Sequence, residues 1–94
     1  MGIIIADLMF HALVDDAIVE ANKAIQKFPQ PNYVISKFAE EAGEVVKAAI
    51  HCAEGRETKE NLRDEMTQAI AMLYRLWIEG DQVHGLDPVV GVAG

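Results

Sequence analysis

The sequence predicts an all-α domain, a helical hairpin preceded by a third helix, and three observations carry that expectation. Apolar residues recur at spacings of three and four. Alternating β-branched runs are nearly absent. Proline and glycine punctuate the chain where helices would have to stop, at Phe28-Pro29, Gly55 and Gly80. With 94 residues, 51% of them hydrophobic, the chain supports one small domain. A domain of this size buries only about two-thirds of the surface its unfolded chain exposes, so a chain this apolar is expected to finish its core against copies of itself.

The first helix is expected over roughly Ala6 to Lys27, with Met9, Leu13, Ala17, Ala21 and Ala24 at helical spacing. Asp16, Glu20, Lys23 and Lys27 form its solvated side, with acids N-terminal to bases, the favourable order for surface pairs. Gln30-Pro31-Asn32 is the connector. A second helix follows from about Tyr33 to Glu54, with Asn32 as N-cap and Gly55 as C-terminal stop. A third runs from Thr58, its N-cap, to about Glu79, stopped by Gly80, so that the second and third helices form an antiparallel hairpin. Asp81 to Gly94 contains three glycines and Asp87-Pro88 and reads as a turn or helical stub followed by a loosely ordered tail.

Fifteen acids against eight Lys and Arg give a net charge of −7. Nucleic acid and anionic membrane are disfavoured as partners, because both are polyanions and no basic cluster offsets the repulsion. An anionic substrate would need a cation as intermediary. A secretory leader is not expected, since Asp7 interrupts the apolar start and no basic residue precedes it; no apolar run of membrane-spanning length occurs. Ala6 stands where a myristoylation signal prefers Ser or Thr. The single cysteine, Cys52, builds no disulfide framework, which fits a reducing cytoplasm.

At about 100° per residue, Val34, Phe38, Ala42, Val45, Val46 and Ala49 form an apolar stripe on the second helix, with Glu41 at its edge and Glu44 one step round. On the third helix the stripe is Leu62, Met66, Ala69, Ile70, Leu73, Leu76 and Trp77. Glu65 falls within that apolar sector and Gln68 on its margin. Folding the hairpin about Arg56 sets Glu44 level with Gln68, Glu41 one turn further from the loop and Glu65 about one turn nearer it. Three carboxylates then converge. Acids that close are relieved by protonation, by Lys or Arg, or by a divalent cation, and an oxygen-only donor set without a Cys/His cluster suits Mg²⁺ or Mn²⁺ better than Zn²⁺. Acid pairs at this spacing also occur commonly on solvated or salt-bridged helix faces.

The segment Lys37-Phe38-Ala39-Glu40-Glu41-Ala42-Gly43-Glu44-Val45, followed by Asp64-Glu65-Met66-Thr67-Gln68, resembles the EExxE…ExxD signature of the all-α nucleotide pyrophosphohydrolases. That superfamily includes MazG-like enzymes, dimeric dUTPases and phosphoribosyl-ATP pyrophosphohydrolases, and the last type is matched about equally well. The resemblance covers roughly Lys37 to Trp77, under half the chain. It implies a helical bundle assembled as a dimer or tetramer, Mg²⁺ on the glutamates, and hydrolysis of a (deoxy)nucleoside triphosphate to monophosphate and pyrophosphate. Glu41, Glu44 and Glu65 match the metal-binding acids. Glu40 matches the leading acid, and either Glu40 or Glu41 is a candidate general base. Gln68 stands where the superfamily has Asp; its amide offers one oxygen to a metal but brings no charge and no base. That departure leaves a weak or non-catalytic nucleotide site as the alternative. The basic residues that many MazG-like enzymes place downstream on the phosphates are not evident in Asp81 to Gly94.

Lys37 could meet a phosphate or pair with Glu40 and Glu41 along the helix, and the pairing is the simpler expectation. Asp7, His11 and Asp15 recur at four-residue steps, a pattern more often solvated than ligating. His51 and Cys52 are adjacent and face different ways. Trp77 and Tyr74 could stack on a base, but Trp77 lies in the core stripe, where packing is expected.

Overall fold

The structure, a computed structural model, describes residues 2–93; Met1 and Gly94 at the ends of the expected domain lie outside them. Three helices, α1 (Gly2–Lys27), α2 (Val34–Ala53) and α3 (Lys59–Glu79), are followed by a 3₁₀ turn over Val90–Ala93, with no strand among the described residues. The expected helices are present in the expected order. Helix α1 begins four residues earlier than expected because no breaker separates Gly2 from Ala6.

Helix α3 lies between the other two, and among the described residues α1 and α2 do not pack on each other. The polypeptide is therefore a single layer, 41 × 30 × 21 Å, not a closed bundle. Helices α2 and α3 form the antiparallel hairpin. The α1–α3 pair is parallel, because Arg63 reaches Asp16 and Arg75 reaches the Phe28 carbonyl, each 47 residues away. That constant offset sets Lys59 level with Ala12. The first ten described residues of α1 thus project about 15 Å beyond the start of α3, at about 1.5 Å per residue. Met9, expected on the packed spacing, lies on this overhang and is 67% exposed.

The seams are built from small residues. Ala17 and Ala21 meet Ala71 between α1 and α3, flanked by Ile70 and Tyr74. Leu13, Val34, Ala48, Ala69 and Met72 complete the buried apolar set. Alanine lets helix backbones approach closely but removes little apolar area per residue.

Capping at the helix ends is partly tertiary. Thr58 caps α3 as expected, its Oγ1 accepting from Asn61 N–H at 3.1 Å. Asn32 does not cap α2: its amide donates to the Phe28 carbonyl at 3.2 Å, and Tyr33 at the cap position makes no side-chain bond. The donor at that end is met by Asp81, whose Oδ2 accepts from Ile35 N–H at 2.9 Å. Asp81 is fully buried. The Ile35 N–H foremost, then the backbone and side chain of His84, hold its carboxyl below the usual carboxylate range. Nearby, buried Arg75 donates to the Phe28 carbonyl and to Glu79, while Gln30 donates to Glu79 and accepts from Gln82 N–H. The start of the expected loose tail is in this way a bonded turn, closed by a bridge between Asp81 and Leu86. Gly80 is required there: its φ is +68°, and a Cβ would sit 2.1 Å from the Leu86 carbonyl oxygen.

Candidate functional site

The layer has two unlike faces. On α3, Asp64 and Gln68 point to one face, whereas Met66, Leu73 and Trp77 lie roughly 180° away at about 100° per residue. On the polar face, α1 contributes Asp16, Glu20, Lys23 and Lys27, which line the grooves beside Gln68. Helix α2 contributes Lys37, Glu40, Glu44, Lys47 and His51 on the corresponding flank. Lys37, Glu40, Glu41, Glu44, Glu65 and Gln68 all belong to this face or to the α2–α3 seam beneath it.

Glu41 and Glu65 are half-buried at that seam, and Glu40 and Glu44 are exposed beside them. Partial burial and then the charges of Glu65, Glu40 and Glu44 push the Glu41 carboxyl up from its ordinary value, with Lys37 opposing weakly. Among the described residues none of these four glutamates is ion-paired to Lys or Arg. Glu44 and Glu65 share a small cavity of about 110 Å³ with Lys47, Ala48, His51 and Glu57. The four acids thus occupy one neighbourhood. No three His, Cys, Asp or Glu side chains among the described residues already stand at metal-binding distance. The donor set is oxygen-rich and hard, the kind Mg²⁺ takes.

Gln68 faces elsewhere. It lines the α1–α3 groove of about 430 Å³ with Asp16, Glu20, Arg63 and Asp64, and a second groove with Lys23, Lys27 and Phe28. Lys37 makes no ion pair with Glu40 or Glu41; its ammonium lies 5.8 Å from the centroid of the Phe28 ring, with Lys27 at 5.5 Å. The expected pairing gives way because the ring at the α1–α2 connector offers a cation–π contact across the polar face. Asp16, expected among the surface pairs of α1, instead holds Arg63 of α3 at 3.0 Å, while Lys23 reaches Glu20 at 3.5 Å.

Trp77 is a correction. It is 48% exposed, on the face opposite the acids, and so neither packs in this chain's core nor stacks over the candidate site. Conversely, Lys47 and His51 line the Glu44–Glu65 cavity without having been singled out. Their spacing of three and seven residues from Glu44 places all three on one flank of α2, which is the signal that identifies them. His51 also faces Glu57, whose carboxyl is held down by Asn61, by the Thr58 N–H and, least, by His51.

No helix among the described residues is long and apolar enough to cross a membrane. In comparisons with known protein families, curated proteins and solved structures, nothing matches this chain.

Proposed function

We propose that this chain is a Mg²⁺-dependent nucleotide pyrophosphohydrolase of the MazG-like kind, acting in the cytoplasm on a (deoxy)nucleoside triphosphate. Mn²⁺ is the alternative ion and a phosphoribosyl-ATP-type substrate the alternative within the same chemistry. One observation carries the reading: Glu40, Glu41, Glu44 and Glu65 gather at or beside one seam without a Lys or Arg ion pair among the described residues, and partial burial first, then the charges of the other three, lift the Glu41 carboxyl. Such a cluster opposes folding unless a cation or protons relieve it.

In this reading Glu41, Glu44 and Glu65 hold the ion, while Gln68, the fourth position of the signature, lies in the adjoining α1–α3 groove and brings no charge to it. Bound there, Mg²⁺ would neutralise charge on the polyphosphate and on the departing pyrophosphate. Glu40 or Glu41 accepts the proton of a water whose oxygen attacks the α-phosphorus; the bond from that phosphorus to the α–β bridging oxygen breaks, and pyrophosphate leaves. Lys37 has a long, flexible side chain on the same face and is the candidate phosphate contact.

The test is release of pyrophosphate and nucleoside monophosphate in equal amounts from a panel of triphosphates with Mg²⁺ or Mn²⁺. Glu44→Gln is expected to lower release at least 100-fold with unchanged helical circular dichroism, and retained turnover would refute the metal assignment. A specific observation favours a second reading, a nucleotide-binding helical protein without turnover: Gln68 brings no charge where the signature has an acid. It predicts that nucleotide with Mg²⁺ raises Tm while no pyrophosphate appears, the stabilisation being about 2.7 kcal/mol at a hundredfold excess over Kd.

A further inference from the structure

The cations of this acidic chain are unevenly placed. Residues 81–94 carry no Lys or Arg, and Arg56, Arg63 and Arg75 are held by Glu54, Asp16 and Glu79. On α2, two lysines without an ion pair among the described residues flank the acidic cluster from opposite ends. Lys37 stands one turn before Glu41, towards the α1–α2 connector, and Lys47 stands one turn beyond Glu44, towards the α2–α3 loop. Along the helix axis they are about 15 Å apart, at about 1.5 Å per residue.

Their surroundings differ in size. Lys47 is the one Lys or Arg lining the cavity of about 110 Å³ that Glu44, Glu65, His51 and Glu57 share. The antiparallel register that sets Glu44 level with Gln68 sets Lys47 level with Glu65. This volume lies well below the range of about 300–1,000 Å³ that organic ligands occupy, and corresponds to a few water molecules at about 30 Å³ each. At the other end, Lys37 shares the half-exposed Phe28 ring with Lys27, beside a groove of about 340 Å³. That groove has the room and the aromatic wall for a nucleoside; the Lys47 cavity has room only for a small anion.

We infer that the Lys47 cavity seats the distal phosphates of a nucleoside triphosphate, with the nucleoside directed towards Phe28. The inference rests on the hydrolase reading for the substrate class, and under it these phosphates depart as pyrophosphate. Three acids in the cavity wall would repel a bare polyphosphate, so binding there requires the divalent ion that Glu44 and Glu65 hold in that reading. Glu57 is already engaged, its Oε1 accepting from the Thr58 N–H at 2.9 Å and the Asn61 amide at 2.7 Å. The Lys47 ammonium supplies a charge-assisted hydrogen bond on the side away from the nucleoside, and the His51 ring adds one N–H donor.

The experiment is calorimetric titration of the full chain with pyrophosphate, and separately with nucleoside monophosphate, each with and without Mg²⁺. Wild type is expected to bind pyrophosphate only when Mg²⁺ is present. Lys47→Gln, at an exposed position, is expected to raise the pyrophosphate Kd by about tenfold or more and to leave the monophosphate Kd unchanged. Lys47→Arg keeps the charge and is expected to stay within about threefold of wild type. Lys37→Gln is expected to show the reverse pattern. In titrations with Mg²⁺ alone, Lys47→Gln is expected to bind the ion at least as tightly as wild type, because a repelling charge has gone; a lysine that only balances the acids would move this readout and not the pyrophosphate Kd. A chain that binds pyrophosphate through Lys47 yet releases none from any triphosphate would support the subsite and refute hydrolysis. Turnover with a pyrophosphate Kd unchanged in Lys47→Gln, a loss in that variant confined to the monophosphate, or wild type that binds no pyrophosphate with Mg²⁺ would overturn the assignment.

Discussion

Replacing Arg75 with methionine tests whether the helix ends are held by one buried cation. Arg75 is 2% exposed and donates to the carboxylate of Glu79 and to the carbonyl of Phe28, just beyond the end of α1. Methionine keeps most of the apolar stem and deletes every donor. Glu79, itself largely buried, is left with the Gln30 amide at 3.4 Å, a long and weak contact. The Phe28 carbonyl keeps only the Asn32 amide at 3.2 Å.

Removing one partner of a buried pair costs about 3–5 kcal/mol, mostly through the uncompensated charge that remains. Because Glu79 retains one donor and a little solvent, the lower end applies, about 3 kcal/mol. For a domain of this length, about 4–8 °C per kcal/mol converts this to a fall of roughly 12–24 °C in Tm. Urea and thermal unfolding followed by circular dichroism measure it, at one protein concentration so that association does not move the midpoint. Arg75→Met combined with Glu79→Met is expected to recover part of the loss, since the stranded carboxylate goes with its partner. A single-variant cost under about 1 kcal/mol, or a double variant equal to the sum of the singles, would refute the account.

Glu41→Gln is expected to raise Tm at pH 8 in the absence of divalent cation, with the difference closing towards pH 4. The sign follows from linkage: a raised folded pKa means that the folded chain holds this proton more tightly than the unfolded one, so the penalty appears as pH rises through that window and vanishes below the ordinary value. Asp81 works in the opposite direction, contributing stability above the ordinary carboxylate pKa that is lost as pH falls through its lowered folded value; Asp81→Asn is therefore expected to flatten the acid limb of the Tm profile below about pH 4. Gly80→Ala combines a positive φ with a Cβ 2.1 Å from a carbonyl oxygen and is expected to cost more than about 2 kcal/mol, whereas Gly85→Ala, also at positive φ but in open space, should cost about 1 kcal/mol, both read from urea midpoints.

The helices were legible because each is bounded by a residue that acts locally. Pro29 forbids continuation through its neighbour, Gly55 and Gly80 adopt positive φ, and the Thr58 hydroxyl reaches a donor three residues on. What the sequence hid is what acts over distance. Asn32 has the chemistry of a cap, yet the donor it was expected to meet is taken by Asp81, 46 residues from Ile35 in the chain. Lys37 has two acids within one helical turn but lies over a ring on the connector. Both outcomes depend on how the connector and the turn after α3 fold against each other, which no single-helix periodicity contains.

The site poses a related problem of phase. A helical wheel assigns Glu65 and Trp77 to one broad apolar sector of α3, about 120° apart at about 100° per residue, and in a closed bundle both would be covered. In a single layer that sector divides. Glu65 falls at the α2 seam, where Glu41 meets it, and Trp77 falls on the opposite, open face. The division follows from α1 packing on α3 and not on α2, through an alanine seam that occupies the remaining side. An acidic cluster and an uncovered aromatic are thus two results of one arrangement: the helix that would close the bundle lies beside the hairpin, leaving one face for charge and the other for apolar contact.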